Sequence, residues 1–544
     1  MNAPADLLGP RLADLASAGR HRADPRPGLG EIALALTEDD PDRVVVSDST
    51  RSLTRAEMVA IARRLGGALA ARGIMPGAAI AFQLPNWWEA TVVNMAAALF
   101  GYRIVPLLPI YRSAELGAIL PACGVAAIFI PGADARVDYP AMVAGLETPP
   151  NLIVTVRGDP GAAAAFERLL DHPPGEPVLP APTDAKMIIF TSGSTGTPKG
   201  VIHTHASMDA VVRRTAEFWT LGETDVMYVP SPIGHIGGSI YAFEFPWITG
   251  CRTVLDDIWN PDRAVSRILA EGATFMAGAT PFLRGLLDAA AARGTSLPGL
   301  RRFICGGASV PPELIHRALD ALPGTIVSRA YGSTEVPLAC PGVRNREEAK
   351  AHADTDGRMA LDLQILDAAG RPAAEGEDGE IAVRGPQMFI GYLDPGHEAG
   401  CFTDDGHFLM GDRGRIVDGD YIVVTGRTKD IIIRKGENIS PLEIENALLR
   451  HPDIAHIAIV GAPDTERGEI AVAFVVPEPG ATVTLASMSA FLEAAGFARQ
   501  KFPERLEIFH SLPTNTVGKV QKPELRRIAA GLAAGDAVRN GGPH

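Results

Sequence analysis

Ten residues, Thr191 to Gly200, read Thr-Ser-Gly-Ser-Thr-Gly-Thr-Pro-Lys-Gly, and their types define a chemistry. Glycines let the backbone curl so that several N–H groups point at one spot. The hydroxyls add donors and Lys199 adds a positive charge. Thr191, Ser192, Gly193, Ser194, Thr195, Gly196 and Lys199 are therefore candidates to hold a polyphosphate. The common nucleoside-triphosphate loop needs Gly-x-x-x-x-Gly-Lys-Ser/Thr. Here Thr197-Pro198 separates Gly196 from Lys199 and Gly200 follows the lysine, so that loop is excluded. A polar strand-to-helix turn is the bland alternative, because such loops are frequent.

Tyr331-Gly332-Ser333-Thr334-Glu335 is a second constellation. A carboxylate beside a Gly-Ser-Thr turn suits Mg²⁺, which takes few carboxylates plus phosphate oxygens, so Glu335 is the candidate metal ligand. Tyr331 could stack on a base. A helix N-terminus with Ser or Thr as its cap reads the same way locally. Cys305-Gly306-Gly307-Ala308 follows a strand-like run, where adjacent glycines let a flat ligand approach the backbone. His235 sits in a glycine-rich turn, where a lone histidine is ordinarily structural or exposed. His203 and His205 flank the phosphate loop without the further ligands a metal would need.

These residues need elements to carry them. Met187–Phe190 is an apolar run and reads as a buried strand ahead of the loop. From Glu31 to about Asn260, helical patterns such as Thr54–Arg72 alternate with short apolar runs: Ala79–Gln83, Ile104–Leu107 and Ala126–Ile130. That rhythm predicts layered α/β structure with largely parallel strands. Residues up to about 30 read as a loose arm, and Glu147–Pro182 as a surface connection. Short runs at Leu363–Leu366, Gly379–Val383 and Tyr421–Val424 predict a small β-rich subdomain. Past Gly426 a new unit is expected, with a strand at Ile431–Arg434, a helix at Pro441–Arg450, strands at Ile454–Val460 and Ile470–Val476, and a helix near Leu485–Ala495. The fold class is α/β: a large N-terminal domain, 1–425, of layered α/β subdomains plus the β-rich one, and a smaller mobile α+β domain, 426–544.

The 544 residues exceed one compact core, and 46% hydrophobic content is that of a globular chain. A net charge of −14 disfavours nucleic acid and anionic membrane as partners. The five cysteines are scattered, without a Cys-x-x-Cys pair, so a reducing, cytoplasmic setting is expected. Residues 1–26 lack the apolar core of a secretory signal. The apolar stretch from Ala90 to Leu108 carries Asn94 and Arg103 and reads as buried helix and strand, not a membrane span. A homodimer stays open as the oligomeric state.

The loop string and the Tyr-Gly-x-Thr-Glu string together resemble the adenylate-forming superfamily: acyl-CoA synthetases, firefly-type luciferases and adenylation domains of peptide synthetases. Within it the chain is similar to bacterial CoA ligases for cyclohexanecarboxylate and medium-chain fatty acids, on Gln83–Trp88 and Pro109–Arg112. The resemblance implies an AMP-forming carboxylic acid–CoA ligase that uses ATP, Mg²⁺ and coenzyme A on a small-molecule carboxylic acid. It implies that Lys199 and the loop hydroxyls hold the β- and γ-phosphates, and that Tyr331, Gly332, Ser333, Thr334 and Glu335 form the second motif. Gly307 and Ala308 would line the adenine and acyl sites. Asp412 and Arg427 would hold the ribose, although Met410 stands where the family usually has Thr. His235 would flank the acyl carboxylate. The spacing Pro513-x-x-x-x-Gly518-Lys519 matches the family's adenylation lysine. Lys435 and Gly436 would border the pantetheine channel in the second step, and Lys429 would be the hinge between steps.

The acid pocket is expected from Ile233–Tyr241, Ala277–Thr280, Ile304–Gly307 and Ala330–Pro337. These segments are mostly apolar, which favours an apolar monocarboxylic acid. Two other functions stay open: an acyl-adenylate enzyme with another acceptor, such as a carrier-protein thiol, and a non-catalytic nucleotide-binding regulator. No carrier domain is legible after the small domain, and Lys519, Glu335 and Asp412 are intact.

Overall fold

A computed structural model of the chain describes residues 8–17, 26–132, 137–161, 163–191, 198–307, 310–434, 437–464, 467–514 and 520–540. Among these, sheet A has seven strands in the order Ile326–Ala330, Arg302–Gly306, Phe275–Gly278, Val226–Val229, Arg252–Leu255, Val44–Ser47 and Ser52–Thr54. Only the last is antiparallel to its neighbour. Sheet B runs Gly391–Tyr392, Lys199–Thr204, Ala185–Thr191, Arg103–Pro106, Ala79–Phe82, Val125–Pro131, Leu152–Val156 and Ala164–Ala165. It is parallel except at the Lys199–Thr204 strand, which is antiparallel to both neighbours.

The main core lies between these two sheets. Val46, Phe275 and Ile304 of sheet A and Ile80, Phe82 and Ile189 of sheet B share one buried cluster. The helices Arg55–Ala70, Trp88–Phe100, His205–Trp219 and Ile236–Phe243 fill the space between them. A second cluster covers the outer face of sheet A with Ala264, Leu286 and Ile315. A third covers the outer face of sheet B with Leu116, Ile119 and Leu15. Five layers result, and each fully buried Leu or Ile in them contributes roughly 2 kcal/mol through lost water contact.

Local sequence explains the middle helices. In Arg55–Ala70, Thr54 caps the first turn and Glu57 reaches back to the Thr54 N–H. Met58, Ala62, Leu65 and Leu69 then recur on the buried face. The apolar helix Trp88–Phe100 is buried almost all round and stops at Gly101, whose φ of 67° suits a left-handed cap. No helix among the described residues is long and apolar enough to cross a membrane.

Sheet C is antiparallel: Asp362–Leu366, Gly379–Arg384, Phe408–Val417 and Tyr421–Arg427. The chain then enters sheet D, built from Glu437–Ile439, Ile432–Arg434, Gly468–Pro477, Ile454–Asp464 and Arg505–Ile508. Alternation along Ile454–Asp464 sends Ile457 and Ile459 to one cluster and Ala458, Val460 and Ala462 to the other. Helices Pro441–Leu448 and Leu485–Ala494 lie on one face and Lys522–Asn540 on the other. The large α/β domain, its β-rich part and the smaller α+β domain are thus as the sequence indicates.

Two expectations are corrected. Residues up to 30 are not all a loose arm. Leu8–Ser17 is a helix, because Leu8, Leu12 and Leu15 repeat at helical spacing and dock on sheet B. Pro10 lies in its first turn, where it removes no helical bond. The span Glu147–Pro182 is more than a surface connection. Leu152–Val156 is an internal strand of sheet B, and Phe166 and Leu169 are buried beside it.

Candidate functional site

The strand pair Ala185–Thr191 and Lys199–Thr204 holds Thr191 opposite Lys199 at its mouth. The loop they bracket, with Ser192, Gly193, Ser194, Thr195 and Gly196, lies outside the described residues. Lys199 Nζ stands 4.9 Å from the centroid of the Tyr392 ring, a cation–π distance. Tyr392 belongs to the short edge strand Gly391–Tyr392, antiparallel to Lys199–Thr204. Its hydroxyl donates to Glu335 Oε1 at 2.7 Å. The burial of Tyr392 and the Glu335 carboxylate push its phenol above the ordinary tyrosine range, so it stays a donor. Lys199 and Glu335 are therefore tied to one aromatic side chain.

The Tyr331–Glu335 segment is not a helix cap, because no helix follows it. Tyr331 and Cys340 exchange both backbone hydrogen bonds and close a loop. A Cβ on Gly332 would stand 2.6 Å from Leu338 N, so the loop needs glycine there. Thr334 is buried and its carbonyl accepts from His203 Nε2 at 2.7 Å, while His203 Nδ1 lies 3.1 Å from Ser207 Oγ. A carbonyl can only accept, so Nε2 carries the proton and Nδ1 takes the serine hydroxyl. Burial pushes His203 down to about 4, which keeps it neutral. His203 is thus a strut between the 185–204 hairpin and the Glu335 loop. Among the described residues no group of three or more His, Cys, Asp or Glu could hold a metal. Glu335 offers a single carboxylate, the donor that suits Mg²⁺ when phosphate and water fill its other positions.

On the other side of that loop, Tyr331 donates its hydroxyl to Asp412 Oδ2 at 2.8 Å. Asp412 Oδ1 lies 3.3 Å from Arg427 Nε, and the two residues are register partners across sheet C. The expected stacking role of Tyr331 concerns its ring face, whereas the contact with Asp412 is made by its hydroxyl. Burial and that carboxylate push the Tyr331 phenol upward. Met410 packs into the apolar cluster of sheet C.

Parallel strands of sheet A bring the third set together. Phe275–Gly278, Arg302–Gly306 and Ile326–Ala330 end side by side, with Gly278 beside Cys305 and Gly306 beside Ala330. Ligand crevices of α/β sheets lie at such carboxyl ends. A Cβ on Gly306 would stand 2.8 Å from Ala330 O, whereas Gly307, at φ 81°, has nothing within 4 Å of where its Cβ would be. Ala308 lies outside the described residues. His235 caps the helix Ile236–Phe243, its Nδ1 accepting the Gly237 N–H at 3.1 Å. Ile233, Ile236, Ile240, Tyr241 and Ile304 share the central core, with Ala277 and Ala330 packed on it half-buried. Members of all four expected pocket segments therefore meet, in one largely buried apolar cluster.

After Arg427 the chain makes a 3₁₀ turn, Thr428–Asp430, and changes sheets. Arg526 of the last helix pairs with Asp430 and approaches the Lys429 carbonyl at 3.4 Å. Lys435, Gly436 and Lys519 lie outside the described residues. Their neighbours are placed: Arg434 pairs with Glu437, and Thr514 with Val520.

Sequence reasoning missed Tyr392 as a contributor and took His203 for a weak metal candidate. The His203-to-Ser207 spacing was a local signal for a hydrogen-bonded pair, but nothing local marks Tyr392.

Comparison with known proteins assigns the family. Residues 35–393 match the AMP-binding enzyme family and residues 443–519 its C-terminal domain. A medium-chain fatty-acid–CoA ligase of Escherichia coli is 34% identical over 498 residues, 90% of this chain and 88% of the relative. A salicylyl-CoA synthase/salicylate adenylyltransferase of a Streptomyces species is 33% identical over 93% of this chain and 94% of its own length. The crystal structure of ATP-bound MatB from Rhodopseudomonas palustris superposes with a TM-score of 0.81 at 25% identity, covering 92% of this chain and 99% of MatB. The chain belongs to the AMP-binding enzyme family and is an ATP-dependent, acyl-adenylate-forming enzyme of the CoA-ligase type.

Proposed function

We propose that this enzyme is an AMP-forming carboxylic acid–CoA ligase acting on an apolar monocarboxylic acid, medium-chain or with an alicyclic or aromatic ring. The observation that carries the phosphate side is the meeting of Lys199 and Glu335 at Tyr392. The acid is argued from the apolar cluster in which Ile233, Ile236, Ile304 and Ala330 meet at the strand ends and from the activity of the Escherichia coli relative.

A carboxylate and ATP are both anions and repel. Cationic side chains and fixed dipoles aimed at the reacting phosphate lower that barrier. In this reading Thr191, the hydroxyl loop and Lys199 bind the outer phosphates, and Asp412 and Arg427 bind the ribose. Glu335, beside Thr334, would hold Mg²⁺, which would neutralise charge on the phosphates. Lys519 bridges the acid's carboxylate and the α-phosphate. A carboxylate oxygen bonds to the α-phosphorus, the bond to the β-phosphate oxygen breaks, and pyrophosphate leaves. The CoA thiolate sulfur then bonds to the acyl carbon and AMP leaves. Residues 426–544 turn about Lys429 between the steps, withdrawing Lys519 and bringing up Lys435 and Gly436. Residues 1–425 hold ATP and acid throughout.

The test is acid-dependent pyrophosphate release across a panel of apolar acids, followed by addition of CoA. A thioester with stoichiometric AMP supports the proposal. Pyrophosphate without thioester assigns the second step to another acceptor, such as a carrier-protein thiol.

A further inference from the structure

The helix Leu8–Ser17 lies before residue 35, where the match to the family begins, yet it touches the phosphate side of the site. Leu8 and Leu15 are 1% exposed and anchor it on the outer face of sheet B. Between them Arg11 donates from Nε to the Tyr392 carbonyl at 2.9 Å and pairs with Glu398. Glu398 Oε1 in turn accepts the Tyr392 N–H at 2.9 Å. The Arg11 and Glu398 side chains are only 10% and 11% exposed. Both backbone polar groups of Tyr392 are thus held in one closed ring: N–H to Glu398, Glu398 to Arg11, Arg11 to the carbonyl. A Cβ on Gly391 would stand 2.5 Å from Glu398 Oε1 and 2.9 Å from Leu15 Cδ2, so a side chain there would have to push aside the tips that form the ring.

The backbone of Tyr392 lies in a two-residue strand; its ring packs edge-on against Phe389, and its ring and hydroxyl meet Lys199 and Glu335. A short edge strand is a weak mount for a side chain that must orient two charged groups. A charge-assisted ring of low exposure is a strong one.

We propose that the N-terminal helix is a positioning element for adenylation: Arg11, with Glu398, fixes Tyr392, and Tyr392 aligns Glu335 and Lys199. Arg11 touches neither of those two residues and acts through Tyr392. The inference rests on the adenylation roles given above to Lys199 and Glu335.

The experiment uses the full chain and the variants Arg11→Met, Arg11→Lys, Glu398→Gln, Tyr392→Phe and Arg11→Met/Tyr392→Phe. It reads acid-dependent ATP–pyrophosphate exchange, calorimetric ATP affinity with and without Mg²⁺, and melting temperature. Arg11→Met is expected to lower the exchange kcat about fivefold to tenfold with the KM for the acid unchanged, the pattern of lost positioning. The gain in ATP affinity on adding Mg²⁺ shrinks with it. Arg11→Lys recovers part of both losses, and Glu398→Gln reproduces them more weakly, which keeps the test decisive if Arg11→Met folds poorly. In the Tyr392→Phe background Arg11→Met costs less than about twofold, because coupled residues are not additive. Additive losses, or a lowered melting temperature with kcat and the Mg²⁺ response unchanged, overturn the proposal. Absence of exchange in the unaltered enzyme would instead overturn the adenylation roles, before any variant is compared.

Discussion

The two sides of the Tyr331–Glu335 loop are built differently. On the proposed phosphate side, Thr334 is held by a fully buried His203, and Glu335 by Tyr392, itself ringed by Glu398 and Arg11. On the proposed ribose side, Tyr331 bonds to Asp412 and Asp412 pairs with Arg427, whose side chain is 56% exposed. The phosphate side is locked by groups from sheet B and its covering helices. The ribose side ends on the last strand of sheet C, one residue before the turn Thr428–Asp430. On the proposed mechanism, the side that meets the charge of ATP is the one held by buried groups, and the more exposed side adjoins the turn about which the smaller domain would move.

The comparison makes its strongest demand on the residue that would arrive from outside the rigid side. Lys519→Ala should lower adenylation by about a hundredfold or more, the scale of removing a charge partner of the transition state. Thioester formation from supplied acyl-adenylate and CoA should persist. Equal loss in both half-reactions would erase the division between a fixed acceptor and a delivered cation. Next, Glu335→Gln should cut exchange about tenfold to a hundredfold and weaken the Mg²⁺ dependence of ATP binding, since a neutral amide replaces the proposed carboxylate ligand. An unchanged Mg²⁺ titration would remove Glu335 from that role.

A proline at the turn tests the loose side. Lys429→Pro should slow the thioester half-reaction about tenfold while leaving adenylation within about twofold, as a stiffened hinge would. Both half-reactions measured separately in rapid-quench experiments decide it. A separate effect is expected on stability. His203 is depressed to about 4 in the fold, below the ordinary value of about 6.5. The unfolded chain therefore binds the extra proton first. Its contribution is complete above about pH 6.5 and is lost as pH falls toward 4, on the order of 3 kcal/mol in all. Urea unfolding between pH 4 and 7 should show that slope, and His203→Gln should flatten its part. An unchanged slope in the variant would mean His203 is not the buried neutral strut.

The sequence made the motifs legible because each is a short string with its own backbone demand. Glycines at 193, 196, 306, 307 and 332 announce turns, and the apolar runs around them announce strands. The α/β order and the change of texture at residue 426 follow from periodicity and turn residues. What stayed hidden is what tertiary contact alone creates. His203 and Thr334 are 131 residues apart, Glu335 and Tyr392 are 57 apart, and Arg11 and Tyr392 are 381 apart. No local pattern encodes those meetings. The helix Leu8–Ser17 was hidden by its Arg and Pro content, although Leu8, Leu12 and Leu15 carried the spacing. Leu152–Val156 was hidden by the Pro- and Gly-rich chain around it.

One assay tests the central claim most directly. The purified enzyme is incubated with ATP, Mg²⁺ and a library of apolar carboxylic acids, and the nucleotide products are separated. Acid-dependent AMP and pyrophosphate are the predicted products. ADP and orthophosphate in their place would contradict the adenylate-forming account.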